Sequence, residues 1–241
     1  MNSEYLYHSG DDLAVVNAAK ISFANRSTSL GEKEIRLINY LARGLPEAEF
    51  NQLISDLVSS TDQSFIEETV QTLRHMATHW SPFTHTSITL RMKAPVPIRT
   101  QCFKHKVGFN ENEESRRYIS DRPELFIPEY FRAKAANVKQ GSGGKHESSD
   151  HWLLNYERIC TSAINAYEEM IKAGIAPEQA RFVLPQGVQV NWVWTGSLAA
   201  YARYYNQRSD SHAQKESQDL SELVRNNIEP LFPVSWKALT T

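Results

Sequence analysis

Cysteine is scarce in this 241-residue sequence, with Cys102 and Cys160 the only two. They lie too far apart to be a metal-ligand pair, and two thiols do not make a disulfide scaffold of the secreted type. A reducing cytoplasm is the expected setting, with both thiols packed in the interior. No apolar run approaches the roughly 20 residues that cross a bilayer. Met1 to Gly10 has no cationic stretch followed by an apolar one, so no secretory leader is expected. An excess of one charge is also missing, since 26 Lys plus Arg face 28 Asp plus Glu for a formal charge of −2. A chain that coats nucleic acid is usually basic, so neither a stable nucleic-acid partner nor a membrane is expected. The sequence has no Gly-x-Gly-x-x-Gly or Walker-type loop, which excludes a Rossmann or P-loop cradle. No serine lies in a Gly-x-Ser-x-Gly context.

What is present suits a globular domain, with 41% apolar and 22% charged residues. The whole chain, 1–241, is read as a single domain, and the small, polar, glycine-bearing stretch 133–150 as a mobile surface loop. Helical spacing recurs in Asp12 to Phe23, in Glu32 to Leu45 (closed by Gly44 and Pro46) and in Phe65 to Ala77. Trp152 to Met170 is the strongest helix, with Trp152, Tyr156, Ile159, Ala163, Ala166 and Met170 on its expected apolar face. Thr195 is expected to cap a helix carrying Leu198, Tyr201 and Tyr205, and Asp210 another carrying Leu220, Leu223 and Val224. Ile88, Leu90 and Met92 alternate with Thr89, Arg91 and Lys93, the pattern of a half-buried strand stopped by Pro95 and Pro97. Val188 to Trp194 alternates in the same way. The class is α+β, with helices packed around a modest central sheet.

Functional side chains concentrate in three places. One is His79 to His85. Another is Gln101-Cys-Phe-Lys-His-Lys106, followed by Asn112 to Tyr118. The third runs from Arg181 to Gln214 and includes Arg208, Asp210 and His212. Lys104 and Lys106 flank His105, a local positive field that suits phosphate or an anionic reduced flavin, or else forms a solvated basic turn. Arg116 and Arg117 could add bidentate forks for phosphate or form surface salt bridges. His75 and His79 stand four apart on an expected helix, but no Glu follows His75 and no cysteine is near, so no metal site is expected.

In order along the chain, these segments resemble the flavin-dependent thymidylate synthases. The family pattern His-x-[Ser/Thr]-Pro-Phe-Glu-His is matched by His79 to His85, and Gln-x-x-Arg-His-Arg by Gln101 to Lys106. Asn-Glu-x-Ser-x-Arg-Tyr is matched by Asn112 to Tyr118, Ala-Arg-x-x-Leu-Pro by Ala180 to Pro185, and Leu-Arg-x-Asp-x-x-Ala-Gln-x-Glu by Arg208 to Glu216. Val15 to Phe23 looks like the family's first helix. The resemblance implies that His79, Ser81, Lys104, His105, Lys106, Asn112 and Glu113 surround FAD, with His212 and Gln214 lining the same pocket. It implies that Gln101, Ser115, Arg117, Arg181 and Arg208 hold dUMP. Arg208 and Ser115 are the implied catalytic residues. Arg208 stabilises charge developing on the pyrimidine, and Ser115 sits near the nucleotide without being a covalent nucleophile. The implied reaction is methylation of dUMP to dTMP, with methylenetetrahydrofolate as carbon donor and NADPH-reduced FAD as hydride source. The implied assembly is a homotetramer with active sites between subunits.

The sequence departs from the pattern at several points. Lys104-His105-Lys106 replaces Arg-His-Arg, which keeps the charge and loses the bidentate fork. Thr84 stands for the Glu of Pro-Phe-Glu-His. Ser197-Leu198-Ala199 replaces an Asn-Leu-Arg-like stretch, and Glu216-Ser217-Gln218 replaces Glu-Ile-Arg. These changes leave two alternatives open. In one, the same scaffold acts on another pyrimidine nucleotide or adds another one-carbon group. In the other, the chain binds nucleotides without turnover.

Overall fold

The structure is a computed structural model that describes residues 1–135 and 141–240. In chain order the elements are β1 (Asn2–Ser9), α1 (Asp12–Lys20), α2 (Glu32–Arg43), α3 (Glu47–Ser59), α4 (Gln63–His75), β2 (Ser87–Pro95), α5 (Val96–Cys102) and β3 (Phe109–Glu113). They continue with α6 (Ser149–Lys172), α7 (Pro177–Ala180), β4 (Gln189–Gly196), α8 (Leu198–Arg208), α9 (Lys215–Ile228) and α10 (Pro233–Thr240). Short 3-10 turns cover Ile21–Phe23, Ser81–His85 and Arg181–Val183. The four strands form one sheet in the order β1-β2-β4-β3. The architecture is α+β, as the alternating and helical periodicities indicate. Among the described residues, no helix is long and apolar enough to cross a membrane.

The backbone divides into two compact units. One comprises 1–6, 89–195 and 204–225, and the other 7–88, 196–203 and 226–241. The first unit carries most of the sheet. Leu90, Met92 and Ala94 of β2 and Val190, Trp192 and Trp194 of β4 are buried, the inward half of a period-two pattern. Thr89, on the opposite parity, is buried too, and its hydroxyl meets that of Thr195 at 3.0 Å.

Helix α6 keeps the expected period in a different phase. Cys160, Ile164 and Tyr167 are buried, while Trp152 and Ile159 of the expected stripe are 53% and 58% exposed. A helix face set about one residue around is hard to separate by spacing alone. Gly187 carries no side chain for a steric reason. A Cβ there would stand 1.8 Å from the Tyr156 hydroxyl, which donates to the Phe126 carbonyl at 2.7 Å. Residues 136–140, the centre of the expected mobile loop, lie outside the described residues. The flanking chain is hydrogen-bonded to itself, with Ala133 N–H donating to the Gly144 carbonyl and Gly143 N–H to the Ala133 carbonyl, both at 2.8 Å.

In the second unit α1 starts at Asp11, whose carboxylate accepts from the Ala14 amide at 2.7 Å. Helix α2 ends on Gly44 at φ +80°, where a Cβ would sit 2.4 Å from Met76 Cγ. Left-handed backbone and close packing both require glycine there. Helix α10 packs on α2. Buried Arg43 donates from Nε and NH2 to the carbonyls of Ala238 and Lys237 at 3.1 and 3.0 Å, which satisfies acceptors in the last turn of α10.

Some expected signals act elsewhere. Ser197, not Thr195, caps α8, its hydroxyl accepting from the Ala200 amide at 3.2 Å; Thr195 belongs to β4. Asp210 closes a local turn by accepting from the His212 amide at 2.7 Å, and α9 begins only at Lys215. Pro95 and Pro97 do end the strand pattern, but they open a helix, because proline is tolerated in a first helical turn. Helix α3 carries Phe50, Leu53, Ile54 and Leu57 at helical spacing, a signal present in the sequence and not used above.

The buried carboxylate of Asp12 accepts from the amides of Val234 and Ser235, both at 2.9 Å, and so caps α10 from another helix. Asp12→Ala is expected to lower unfolding free energy by about 2 kcal/mol, the upper range for a lost N-cap, with Asp12→Asn costing less. Urea titration of the two variants measures the difference.

Candidate functional site

Helix α5 ends at Cys102, and the chain turns tightly there, with the amides of Phe103, Lys104 and His105 donating to the carbonyls of Arg99, Gln101 and Cys102. This turn brings His105 back against the sheet. Its ring meets Tyr204 edge-on at 5.1 Å, Tyr204 meets Trp194 at 4.9 Å, and Trp194 stacks on Phe109 at 4.1 Å. The aromatic series fixes the imidazole from below.

Arg208, the last residue of α8, donates from Nε to His105 Nε2 at 2.9 Å and from NH2 to the Gln101 carbonyl at 3.3 Å. Arginine has no acceptor, so His105 Nε2 is an unprotonated acceptor in this arrangement. The Gln101 carbonyl lies at the C-terminal end of α5, a place that favours a cation.

Around this contact runs a chain of side-chain hydrogen bonds. Gln101 accepts from Ser217 Oγ at 2.8 Å and donates to Gln214 Oε1 at 2.6 Å. Gln214 donates to Glu216 Oε2 at 2.9 Å, which also accepts from Arg132 at 2.7 Å. Burial alone would raise the Glu216 carboxyl, but the Arg132 and Gln214 hydrogen bonds outweigh it and hold the group below the usual carboxylate range. Gln101, Arg132, Ser142, Arg208, His212 and Gln214 line a cavity of about 510 Å³.

A second cavity in the same unit, about 460 Å³, contains Ser115 and Arg181 together with Arg99, Glu113, Glu114 and Arg116 over an apolar floor. Burial pushes the Glu113 carboxyl up against the pull of Arg99, with Glu114 adding to the push. Arg117 does not line this cavity; its Nε lies 3.8 Å from a Glu178 oxygen. Lys104 and Asn112 are exposed, and Lys106 pairs with Glu111 at 2.5 Å. His79 and Ser81 belong to the second unit, where the His79 amide donates to the Leu41 carbonyl at 2.8 Å. There they line a cavity of about 620 Å³ with Lys20, Phe23 and Tyr40. The His79 ring stacks on Tyr40 at 6.2 Å.

The structure therefore brings Gln101, His105, Arg208, His212 and Gln214 together, and separately Glu113, Ser115 and Arg181. Sequence reasoning missed Tyr204, Arg132, Glu216 and Ser217 as parts of the first group. The signals that pointed toward them were Glu216, the last residue of a matched motif, and the Ser217 substitution that follows it. Among the described residues no group of three or more His, Cys, Asp or Glu is placed to hold a metal.

Neither thiol is activated. Cys102 lies 3.8 Å from the Tyr204 hydroxyl, and burial pushes its thiol up to about 12. Cys160 is also raised by burial.

The fold and its cavities define an α+β protein whose cavities are lined by guanidiniums rather than by a glycine loop or a reactive thiol. The chain belongs to the Thy1 family, described as thymidylate synthase complementing protein, whose model matches residues 5–234. It is 28% identical over 231 residues to the flavin-dependent thymidylate synthase of Thermosipho africanus, covering 95% of this chain and 86% of that one. It is 27% identical to a protein of the same name from Thermus thermophilus, covering 95% and 72%. Among solved structures it resembles the UMP/dUMP methylase PolB from Streptomyces cacaoi bound with 5-Br dUMP. The TM-score is 0.77, with 26% identity over 99% of this chain and 94% of that one. The same methylase bound with 5-Br UMP gives a TM-score of 0.75 at 25% identity.

A buried thiol with a pKa near 12 is not a nucleophile at neutral pH. Iodoacetamide at pH 8 is expected to leave Cys102 and Cys160 unmodified in the native protein and to label both in urea. Mass spectrometry of the digests reads the outcome.

Proposed function

We propose that this chain methylates dUMP to dTMP as a flavin-dependent thymidylate synthase. In this reaction the methylene of methylenetetrahydrofolate is joined to C5 of dUMP, and FAD reduced by NADPH supplies the hydride that completes the methyl group. The observation that carries the reading is the Arg208–His105–Gln101 cluster. It is a cation oriented by two fixed acceptors, with its remaining amino group open to a ligand among the described residues. Such a preorganised guanidinium stabilises negative charge developing on a pyrimidine. A cysteine nucleophile has no part in the proposal, since both thiols are buried.

The residues present fit FAD. Lys104 and Lys106 supply exposed ammonium groups for an anionic ring or pyrophosphate, and His212 and Gln214 supply polar edges beside Arg208. His105, Asn112 and Glu113 complete the proposed flavin set in this unit, and His79 and Ser81 are proposed as flavin contacts from the cavity of the second. Gln101, Ser115, Arg117, Arg181 and Arg208 are proposed to hold the nucleotide.

On one chain these nucleotide residues are divided, Ser115 and Arg181 in one cavity and Gln101 and Arg208 in another. That division supports an active site assembled from two copies within a homotetramer. Exposed Tyr118, Leu154 and Phe182 (78%, 70% and 80%) offer apolar surface for such association. A cytoplasmic setting follows from the same reading.

One observation favours a second substrate: two solved structures that share this fold are of a methylase named for both UMP and dUMP. The ribonucleotide is therefore the runner-up.

Purified protein is expected to be yellow, and dUMP is expected to stimulate oxidation of its reduced flavin. The product should be heavier than dUMP by one methylene. Colourless protein that takes up no FAD at saturation would overturn the reading, and a heavier product from UMP alone would move it to the ribonucleotide. Arg208→Ala is expected to lower kcat by about 100-fold or more, the scale of a lost electrostatic donor. Lys104→Ala is expected to raise the Kd for FAD several-fold, more at low salt than at high. Fluorescence titration with FAD measures it.

A further inference from the structure

We propose that Arg116 is a phosphate-binding residue of the nucleotide site; this rests on the reading of function above. The sequence resemblance points to its neighbour, Arg117, and Arg116 is added to that set.

The chain from Ser115 makes a single tight turn. The amides of Tyr118 and Ile119 donate to the Ser115 carbonyl at 3.0 and 3.3 Å, and the Arg117 amide donates to Ser115 Oγ at 3.3 Å. Successive side chains in such a turn leave in directions roughly 100° apart. Arg116 and Arg117 therefore serve different surfaces.

Arg116 turns inward. Its side chain is 15% exposed and lines the cavity that holds Ser115 and Arg181. NH1 donates to the Asp121 carbonyl, which fixes the guanidinium. NH2 lies 4.0 Å from Glu114 Oε1, too long for a hydrogen bond, while the other oxygen of Glu114 accepts from Asn191 at 2.8 Å. Arg117 turns outward, 53% exposed, with its guanidinium 5.3 Å over the Tyr118 ring and near Glu178.

The third arginine of the cavity is committed elsewhere. Arg99 Nε lies 3.3 Å from Glu113, and its guanidinium sits 5.2 Å over Phe103. Among the described residues Arg181 is anchored by Nε, which donates to the Glu178 carbonyl at 3.2 Å. Arg116 and Arg181 thus present two planar forks beside the Ser115 hydroxyl. A phosphate monoester accepts two such forks at once on anionic oxygens, which an uncharged nucleoside lacks.

The test compares the FAD-loaded wild type with Arg116→Ala, Arg116→Lys and Arg117→Ala. Isothermal titration is run with dUMP and with deoxyuridine, the same nucleoside without phosphate. Arg116→Ala is expected to weaken dUMP binding tenfold or more and to leave deoxyuridine binding within twofold, with Arg116→Lys intermediate for dUMP. Unchanged dUMP affinity in Arg116→Ala, a loss confined to Arg117→Ala, or an equal loss for both ligands overturns the assignment alone. Wild-type protein that binds no dUMP overturns the functional reading, and this assignment with it.

Discussion

The donation from Arg208 Nε to His105 Nε2 joins the end of α8 to the turn after α5, and the rest of the site is arranged around it. A guanidinium on a long side chain has many rotamers, and fixing it costs entropy. Here the cost is offset by two acceptors held from opposite directions. One is an imidazole braced by Tyr204, Trp194 and Phe109, and the other is the Gln101 carbonyl at the end of α5. The same contact removes His105 Nε2 from the available proton donors. The Lys-His-Lys triplet therefore supplies its positive field through the two lysines, which are exposed, and uses its histidine as a strut.

The substitutions that set this chain apart from the family pattern have a structural logic where they meet that strut. Ser217, standing where the pattern has an aliphatic residue, donates to Gln101 Oε1. Gln101 in turn donates to Gln214, and the series runs on to Glu216 and Arg132. A polar series is stable when each member is satisfied, and in this half-exposed one each hydrogen bond has a named donor and acceptor. Arg132 also donates to Ser142 at 2.6 Å, which ties the segment following the family's central motifs to the rim of the Arg208 cavity. At 104 and 106, where Lys replaces Arg, the contacts are those of Lys106, which pairs with Glu111 and lies 5.6 Å over the Phe103 ring.

Two cavities in one unit divide the arginines into two kinds of work. Arg208 is immobilised on two neutral acceptors, which do not neutralise its charge. Arg99 is spent on Glu113 and on the Phe103 ring, and it helps to keep a half-buried carboxylate in place. Arg116 and Arg181 are anchored through backbone carbonyls, of Asp121 and Glu178, and Arg116 also has the Glu114 carboxylate at 4.0 Å. Carbonyl anchors orient a guanidinium without neutralising it, whereas a carboxylate anchor does both.

By itself the sequence determined the class of fold, the strands around Leu90 and Trp192, the longer helices and the family. Each of these is written in the periodicity or order of neighbouring residues, which local geometry reads directly. It left β1, β3, α3 and α10 unnoticed, and it set the face of α6 about one residue off. Short or exposed elements carry weak periodicity, and the burial that selects a face comes from partners elsewhere in the chain. Asp12 capping α10 across 222 positions, and Ser217 meeting Gln101 across 116, are beyond any local pattern. Nor could spacing tell which of the adjacent Arg116 and Arg117 turns into a cavity. Only the tertiary structure decided these points, because a hydrogen bond or a cavity wall depends on where distant backbone segments place their side chains.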